Sequence, residues 1–317
     1  PAPVQASWLG YCAPTGVSEI DYYVADAETL PAAQERNFTE TVWRLPRSYL
    51  CFSRPAAEVA VGPLPALSNG YVTFGSFNNL SKMTEEVVAL WSRLLHAIPG
   101  SRLRLKARQL AEAPVRARVE AQYRAHGIDG DRLILDPPIA ERGGHLAAYG
   151  EIDIGLDPFP YNGVTTTMEA LWMGVPVLTV AGERFLARQG VGLLTHAGLP
   201  GWIAADGEEL IAKAVAQARD LSGLAALRGG LRERLLASPL LDAEGFAREF
   251  ADALWAMWRK RCEQGPVGLD APADPASAAA VPADPAEPPG YDRLLALFGR
   301  GDFAALECAA GELLRTY

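Results

Sequence analysis

An α/β fold with a parallel sheet, followed by helices and a terminal helical hairpin, is predicted by this 317-residue sequence from three observations. From Tyr71 to about Asp206, short apolar, β-branched runs alternate with amphipathic runs of helical period, the pattern of βαβ units. From Gly207 to Arg261 the pattern becomes wholly helical. Hydrophobic residues make up 49% of the chain and charged residues 21%, enough apolar material for a buried core.

Residues 1–65 are the least regular, with short strands expected around Trp8–Tyr11 and Tyr22–Ala25 among Pro, Gly and Asp punctuators. They read as the tail of a preceding lobe plus an interlobe connection. The first residue is not Met and Val4 to Tyr11 reads as a strand already under way, so the sequence is expected to begin inside a larger protein. The unit over 66–262 follows, with strands expected at Tyr71–Phe77, Arg102–Lys106, Arg132–Leu135, Ile152–Leu156 and Pro176–Val180. Between the first two lies a helix. Thr84 is its N-cap, Glu85 and Glu86 suit the first-turn dipole, and Val87, Val88, Leu90, Trp91, Leu94, Leu95 and Ile98 form its apolar face. Pro99-Gly100 stops it. Further helices are expected over Gly207–Arg219, Leu221–Ala237 and Ala243–Arg261, the last with Phe246, Phe250, Leu254, Trp255 and Trp258 on one face. Residues 263–289 are dominated by Ala, Pro and Asp, cannot offset their ordering entropy and read as a disordered linker. Residues 290–317 read as a helical hairpin resembling one tetratricopeptide repeat (TPR), with Leu294, Leu297, Phe298, Phe303, Leu306 and Leu313 among its apolar residues.

A net charge of −9 and a pI near 5.1 argue against a nucleic-acid partner, although a local pocket for one nucleotide is compatible with them. Cys12, Cys51, Cys262 and Cys308 show no zinc or redox spacing and read as free thiols of a reducing compartment. No apolar run reaches the roughly 20 residues that span a bilayer, so no membrane partner and a cytoplasmic location are expected.

Chemistry concentrates in two segments. In Asp157 to Pro176 a strand runs into a Pro/Gly loop with Asn162 and Gly163, then Thr165, Thr166 and Thr167 at a helix start, then Glu169 within that helix. Free N–H groups and hydroxyls there form an anion site suited to a pyrophosphate, and a carboxylate one turn on can accept from ribose hydroxyls. The plainer alternative is that the threonines only cap the helix. The second segment, Phe74-Gly75-Ser76-Phe77-Asn78-Asn79-Leu80-Ser81-Lys82, stands at the carboxyl end of the sheet's first strand, where a lysine can neutralise a leaving diphosphate or simply be solvated. His145, after Ala140-Glu141-Arg142-Gly143-Gly144, is by itself a structural histidine as readily as a functional one. Asp129-Gly130-Asp131 matches a metal-binding DxD pattern but sits in a turn where Asp and Gly are expected, and no metal is assigned.

Trp8-Leu9-Gly10-Tyr11 with Ile20-Asp21-Tyr22, Arg44-Leu45-Pro46, Phe74 to Lys82 and Tyr161 to Pro176 resemble, in order and spacing, the catalytic region of the SPINDLY and O-GlcNAc transferase family, from about Trp8 to Trp258. The closer likeness is to SPINDLY, through Pro65 to Leu80 and Val191-Gly192-Leu193-Leu194-Thr195, whereas Gly182-Glu183 and Arg188 look more like O-GlcNAc transferase. The resemblance implies a Rossmann-like GT-B C-terminal lobe and inverting, metal-independent transfer of a sugar to protein Ser/Thr hydroxyls. The donor is GDP-fucose on the SPINDLY branch and UDP-GlcNAc on the other; Val164, where O-GlcNAc transferase has a phosphate-side histidine, weakens the second. By resemblance Lys82 contacts the diphosphate and is catalytic, Thr165 and Thr166 bind phosphate, Glu169 holds the ribose, and Ala140 to His145, with Arg142, meets the nucleobase. Asn79, Asn162, Gly163 and Thr167 complete the expected nucleotide-binding set. Acceptor proteins are expected to be held through TPR repeats and the preceding lobe. A catalytically inactive TPR scaffold that binds protein partners is the rival reading.

Overall fold

The computed structural model describes residues 2–10 and 12–263, arranged around two parallel sheets. The first sheet has three strands in chain order: β1 (Ala6–Ser7), β2 (Tyr22–Ala25) and β3 (Thr41–Arg44). After α1 (Ala66–Asn69) the chain enters the second sheet. Its elements are β4 (Thr73–Ser76), α2 (Glu85–Ala97), β5 (Arg102–Lys106), α3 (Ala113–Ala125), β6 (Leu133–Asp136), α4 (Arg142–Ala147), β7 (Ile154–Leu156), α5 (Thr165–Trp172), β8 (Val177–Val180), α6 (Gln189–His196) and β9 (Ile203–Ala204). Three helices follow: α7 (Gly207–Arg219), α8 (Leu221–Leu236) and α9 (Ala243–Glu263).

The second sheet has the order β6-β5-β4-β7-β8-β9, every neighbouring pair parallel. Phe74 of β4 is in register with Leu103 on one side and Ile154 on the other. From β4 the chain builds outward through β5 and β6, returns to β7, and then builds the other way. The topological switch point therefore lies between β4 and β7, and a crevice opens outside their carboxyl ends. This position fixes the candidate site.

Sequence explains most of these elements. Thr84 caps α2 by accepting from the Val87 N–H at 3.3 Å, and Val87, Val88, Leu90, Trp91, Leu94 and Leu95 are all buried. Asp206 and Asp220 cap α7 and α8 in the same way. Inside the second sheet Asp153 accepts from the Ala66 and Thr73 N–H groups, both at 2.8 Å, tying α1 to the start of β4.

Several expectations change. The strand expected around Trp8–Tyr11 is at Ala6–Ser7 instead, because Leu9 (φ 55) and Gly10 (φ 74) turn the chain into the left-handed region. β3 and β9 are additional strands: none of the four residues of β3 is fully buried, and β9 has only two residues. The apolar face of α9 is Phe246, Phe250, Ala253 and Met257, spaced at four, three and four; Leu254 lies one position around the helix and is 44% exposed. That helix also runs back onto the first sheet, where Phe246, Ala253 and Met257 join Tyr22, Tyr23, Val24 and Ala25 in a second core. Apart from Glu263, which ends α9, the linker over 263–289 and the hairpin over 290–317 lie outside the described residues. Among the described residues no helix is long and apolar enough to cross a membrane.

Candidate active site

Asn78 stands just past β4 at the crevice, and everything nearby is organised around its side chain. Next to it Asn79 starts a single turn of tighter helix, Leu80–Lys82, by accepting from the Ser81 N–H at 2.9 Å. The turn sends the Lys82 side chain back over the crevice. Lys82 Nζ donates to the Asn162 carbonyl oxygen at 2.8 Å, reaches Asn78 Oδ1 at 3.5 Å and lies 4.2 Å from the centre of the Tyr161 ring. Burial lowers the Lys82 ammonium from its ordinary range, and the Asp157 carboxylate opposes that shift.

From the other side of the switch point comes the loop after β7. Asp157, fully buried, accepts from the Gly163 N–H at 2.6 Å and the Thr179 hydroxyl at 2.8 Å. Asn162 is buried too, with its amide donating to the Pro158 carbonyl and its side-chain oxygen accepting from the Gly190 N–H. These bonds set the loop so that α5 begins at the crevice. Thr166 then donates to Asn78 Oδ1 at 3.0 Å, so Lys82 and Thr166, from two separate β–α junctions, meet at one atom. A Cβ on Gly163 would fall 2.8 Å from that same Asn78 oxygen and nearer still to the Thr166 hydroxyl, so only glycine fits.

The three threonines have three roles. Thr165 is exposed at the first position of α5, Thr166 faces Asn78, and Thr167 is buried with its hydroxyl donating to the Gly163 carbonyl at 3.1 Å. Val164, the residue before the helix, offers no side-chain cap, so the first N–H groups of α5 have no cap acceptor from it. A half-buried cation, a hydroxyl and a helix N-terminus at one crevice are together chemically suited to an anion.

One turn along α5, Glu169 is buried and surrounded by donors. Arg142 Nη1 reaches Oε1 at 2.7 Å, and His145 Nε2 and the Tyr149 hydroxyl reach Oε2 at 2.9 and 3.1 Å. Burial works to raise the Glu169 carboxyl, but the hydrogen bond from His145 and the charge and hydrogen bond of Arg142 oppose it, and the carboxyl lies below its ordinary value. Ala140 is exposed just before Glu141, whose carboxylate caps α4 through the Gly143 and Gly144 N–H groups. Arg142, His145 and Glu169 are thus one cluster, adjoining Lys82 and Thr166 through Tyr149, whose hydroxyl also reaches the Thr166 carbonyl at 3.2 Å. Asn79 is exposed and held by Gln109 and Ser81.

Sequence reasoning missed Asn78 as the meeting point, and it missed Tyr161, Tyr149 and Lys106. Lys106 ends β5 at the same sheet edge as Asn78, which is the signal that could have found it. Asp129-Gly130-Asp131 lies before β6, at the opposite end of the sheet from the crevice.

Comparison with known proteins now decides the family. The model of Glycosyl transferase family 41 matches residues 1–54 and 63–250. The chain belongs to glycosyl transferase family 41. This family-41 chain is 41% identical over 263 residues to a Solanum lycopersicum protein named "Probable UDP-N-acetylglucosamine--peptide N-acetylglucosaminyltransferase SPINDLY", covering 83% of this chain and 28% of that protein. It is 31% identical over 271 residues to the Arabidopsis thaliana protein SEC, covering 83% of this chain and 27% of that one. Among solved structures, a Thermobaculum terrenum O-GlcNAc transferase mutant matches with a TM-score of 0.78 and 39% identity, over 84% of this chain and 50% of that chain. A sucrose-phosphate synthase from Thermosynechococcus elongatus matches in fold alone, with a TM-score of 0.54 and 17% identity over 77% of this chain and 60% of that one. The family-41 fold is therefore a GT-B arrangement, as the resemblance implied, with the 3-2-1-4-5-6 strand order of a dinucleotide-type sheet. The chain spans 28% of the length of the Solanum relative, so it corresponds to one part of such a protein.

Proposed function

We propose that this chain carries the donor-binding part of a protein O-glycosyltransferase that moves a sugar from a nucleotide sugar, GDP-fucose or UDP-GlcNAc, to Ser/Thr hydroxyls with inversion and without a metal ion. The observation that carries the reading is the convergence of Lys82 and Thr166 on Asn78 at the switch point. The diphosphate of the donor lies between the Lys82 ammonium and the start of α5, where Thr165, Thr166 and the first N–H groups accept its charge. As the acceptor hydroxyl attacks the anomeric carbon, negative charge grows on the leaving diphosphate, and a fixed cation with fixed dipoles stabilises that charge more than the ground state. The nucleoside extends towards Glu169, His145, Arg142 and Ala140. The acceptor protein and the base that takes its proton are supplied from outside this cluster.

The SPINDLY-like segments favour GDP-fucose, while the names of the relatives favour UDP-GlcNAc. Thermal-shift titration with GDP, UDP, GDP-fucose and UDP-GlcNAc separates the two, because a ligand that binds only the folded state raises the melting temperature, and more so the tighter it binds. A shift with GDP and GDP-fucose alone assigns the fucose branch, and a shift with UDP and UDP-GlcNAc alone assigns the other. No shift with any of the four refutes the donor site and leaves a scaffold that binds protein partners.

A further inference from the structure

Lys106 is a buried lysine, 3% exposed, at the last position of β5. Its Nζ lies 3.0 Å from His145 Nδ1, 3.1 Å from the His145 carbonyl oxygen and 4.2 Å from the centre of the Phe77 ring. The charged and titratable groups around it come from every packed element: Glu169 from α5, Asp136 from β6, Arg104 from its own strand, Arg142 and His145 from α4, and Tyr149 from the turn after α4.

An ammonium group has no lone pair and can only donate. Lys106 therefore makes His145 Nδ1 an acceptor, which leaves the imidazole proton on Nε2, and Nε2 is the atom facing Glu169 Oε2 at 2.9 Å. The opposite tautomer would set a nitrogen lone pair against the oxygen of a carboxylate whose other oxygen pairs with the Arg142 guanidinium at 2.7 Å. A doubly protonated ring would set an N–H against an ammonium. One tautomer satisfies all three residues.

We propose that Lys106 is a positioning residue of the donor site, holding His145 as the neutral Nε2–H tautomer so that the Glu169 carboxylate is fixed for the sugar hydroxyls of the nucleoside. This rests on reading the crevice as a nucleotide-sugar site. Lys106 is buried and bonded to His145, and it acts through that residue. Arg142 fixes Oε1 and the Lys106–His145 pair, with Tyr149, fixes Oε2, so both carboxylate oxygens are aimed before any ligand arrives. Burial lowers the Lys106 ammonium to about 8, so the hold is present at neutral pH and weakens as pH rises through that value.

The test uses the 317-residue chain, Lys106→Met as the variant, and nitrogen-15 NMR of the His145 ring at pH 7. In the unaltered chain the ring is expected to carry its proton on Nε2 with Nδ1 bare. In Lys106→Met, Nδ1 is expected to gain a proton, wholly or in part, and calorimetric affinity for whichever of GDP and UDP binds is expected to fall about 10- to 100-fold, the size of one lost hydrogen bond to a charged group. A ring unchanged by the substitution overturns the proposal, and so does unchanged affinity beside an altered ring. Should Lys106→Met not fold, the unaltered chain decides by itself: a proton on Nδ1 at pH 7 overturns the assignment, and a bare Nδ1 that changes only as pH passes about 8 supports it. Failure of the donor-site reading shows separately, as no binding of GDP or UDP to the unaltered chain.

Discussion

Lys82 is half-buried at the crevice mouth, with the Asn162 carbonyl, the Asn78 side-chain oxygen and the Tyr161 ring around it. None of them is a carboxylate, so its charge is not cancelled by direct pairing and is available to an anion. Lys82→Ala is expected to lower sugar transfer on the order of 10²- to 10³-fold, the cost of removing one preorganised stabiliser of developing charge. The melting temperature should change little, because no fold-bearing carboxylate loses its partner. Single-turnover transfer by the complete protein beside a melting curve of this chain checks both halves, and retained turnover in the complete protein removes Lys82 from the mechanism. Asp157 is the opposite case. Burial pushes its carboxyl up to about 7, against the hydrogen bonds of Gly163 and Thr179 and the charge of Lys82. Its folded value lies above its unfolded one, so the folded state binds the proton more tightly and this group costs stability as pH rises from about 4 towards 7. Asp157→Asn keeps an oxygen for the Gly163 N–H and has no charge to bury. Urea unfolding should show the variant gaining on the unaltered protein between pH 4 and 8; parallel curves contradict a buried carboxylate at that site.

At the scale of the element, the helix start at α5 divides neighbouring hydroxyls by 100° of rotation. Thr166 faces the crevice and Thr167 faces inward to the Gly163 carbonyl. Thr167→Val should therefore cost about 1 kcal/mol of stability, the net worth of one internal hydrogen bond. Thr166→Val loses a bond to Asn78 that is only part-buried, so it should cost less stability than Thr167→Val while weakening binding of the nucleoside diphosphate. Chemical denaturation and calorimetry on the pair check the division, and equal effects on stability contradict it. The same rotation explains what the sequence could and could not reveal. The strand ends and helix starts that carry Lys82 and the threonines can be read from period and punctuation, whereas their expected role toward a phosphate came from the family resemblance. Which threonine turns inward was not legible, since that depends on where Asp157 and Asn162 anchor the loop. Lys106 was hidden for a similar reason: the alternation in Arg102–Lys106 gives the strand, but its partner His145 arrives from 39 positions away. The α9 stripe shows the limit again. Phe246 and Phe250 were placed correctly, while Leu254 was assigned to the apolar face and Met257 was not, because an aromatic-rich helix offers two overlapping stripes.

At the scale of the whole molecule, the first sheet has only three short strands and cannot bury its own apolar residues alone. Its core is completed by parts that come much later in the chain. Phe246, Ala253 and Met257 of α9 close over β2, Trp8 packs on Phe250 with ring centres 4.6 Å apart, and Arg47 bonds Asp242 and Glu249 at 2.8 and 2.5 Å. The Tyr49 hydroxyl bonds Gln189, and Arg188 donates to the Glu28 carbonyl at 3.0 Å, so α6 and the turn before it are fastened to the first sheet as well. The Cys12 thiol, from the loop between β1 and β2, lies against the Tyr161 hydroxyl and raises its pKa, bringing the first unit to the rim of the crevice beside Lys82. Met257 is fully buried in this shared core, whereas Leu254 is 44% exposed. Met257→Ala should thus cost about 2–5 kcal/mol and Leu254→Ala no more than about 0.5 kcal/mol. The loss should also be local: hydrogen exchange at Tyr22–Ala25 should quicken while β4 and β5 keep their protection, since their core is a separate cluster built on α2, α3 and α5. Affinity for the nucleoside diphosphate should survive Met257→Ala, because Lys82, Thr166, His145 and Glu169 all belong to the second sheet and its helices. Exchange that quickens equally in both sheets would mean that the two cores unfold as one unit.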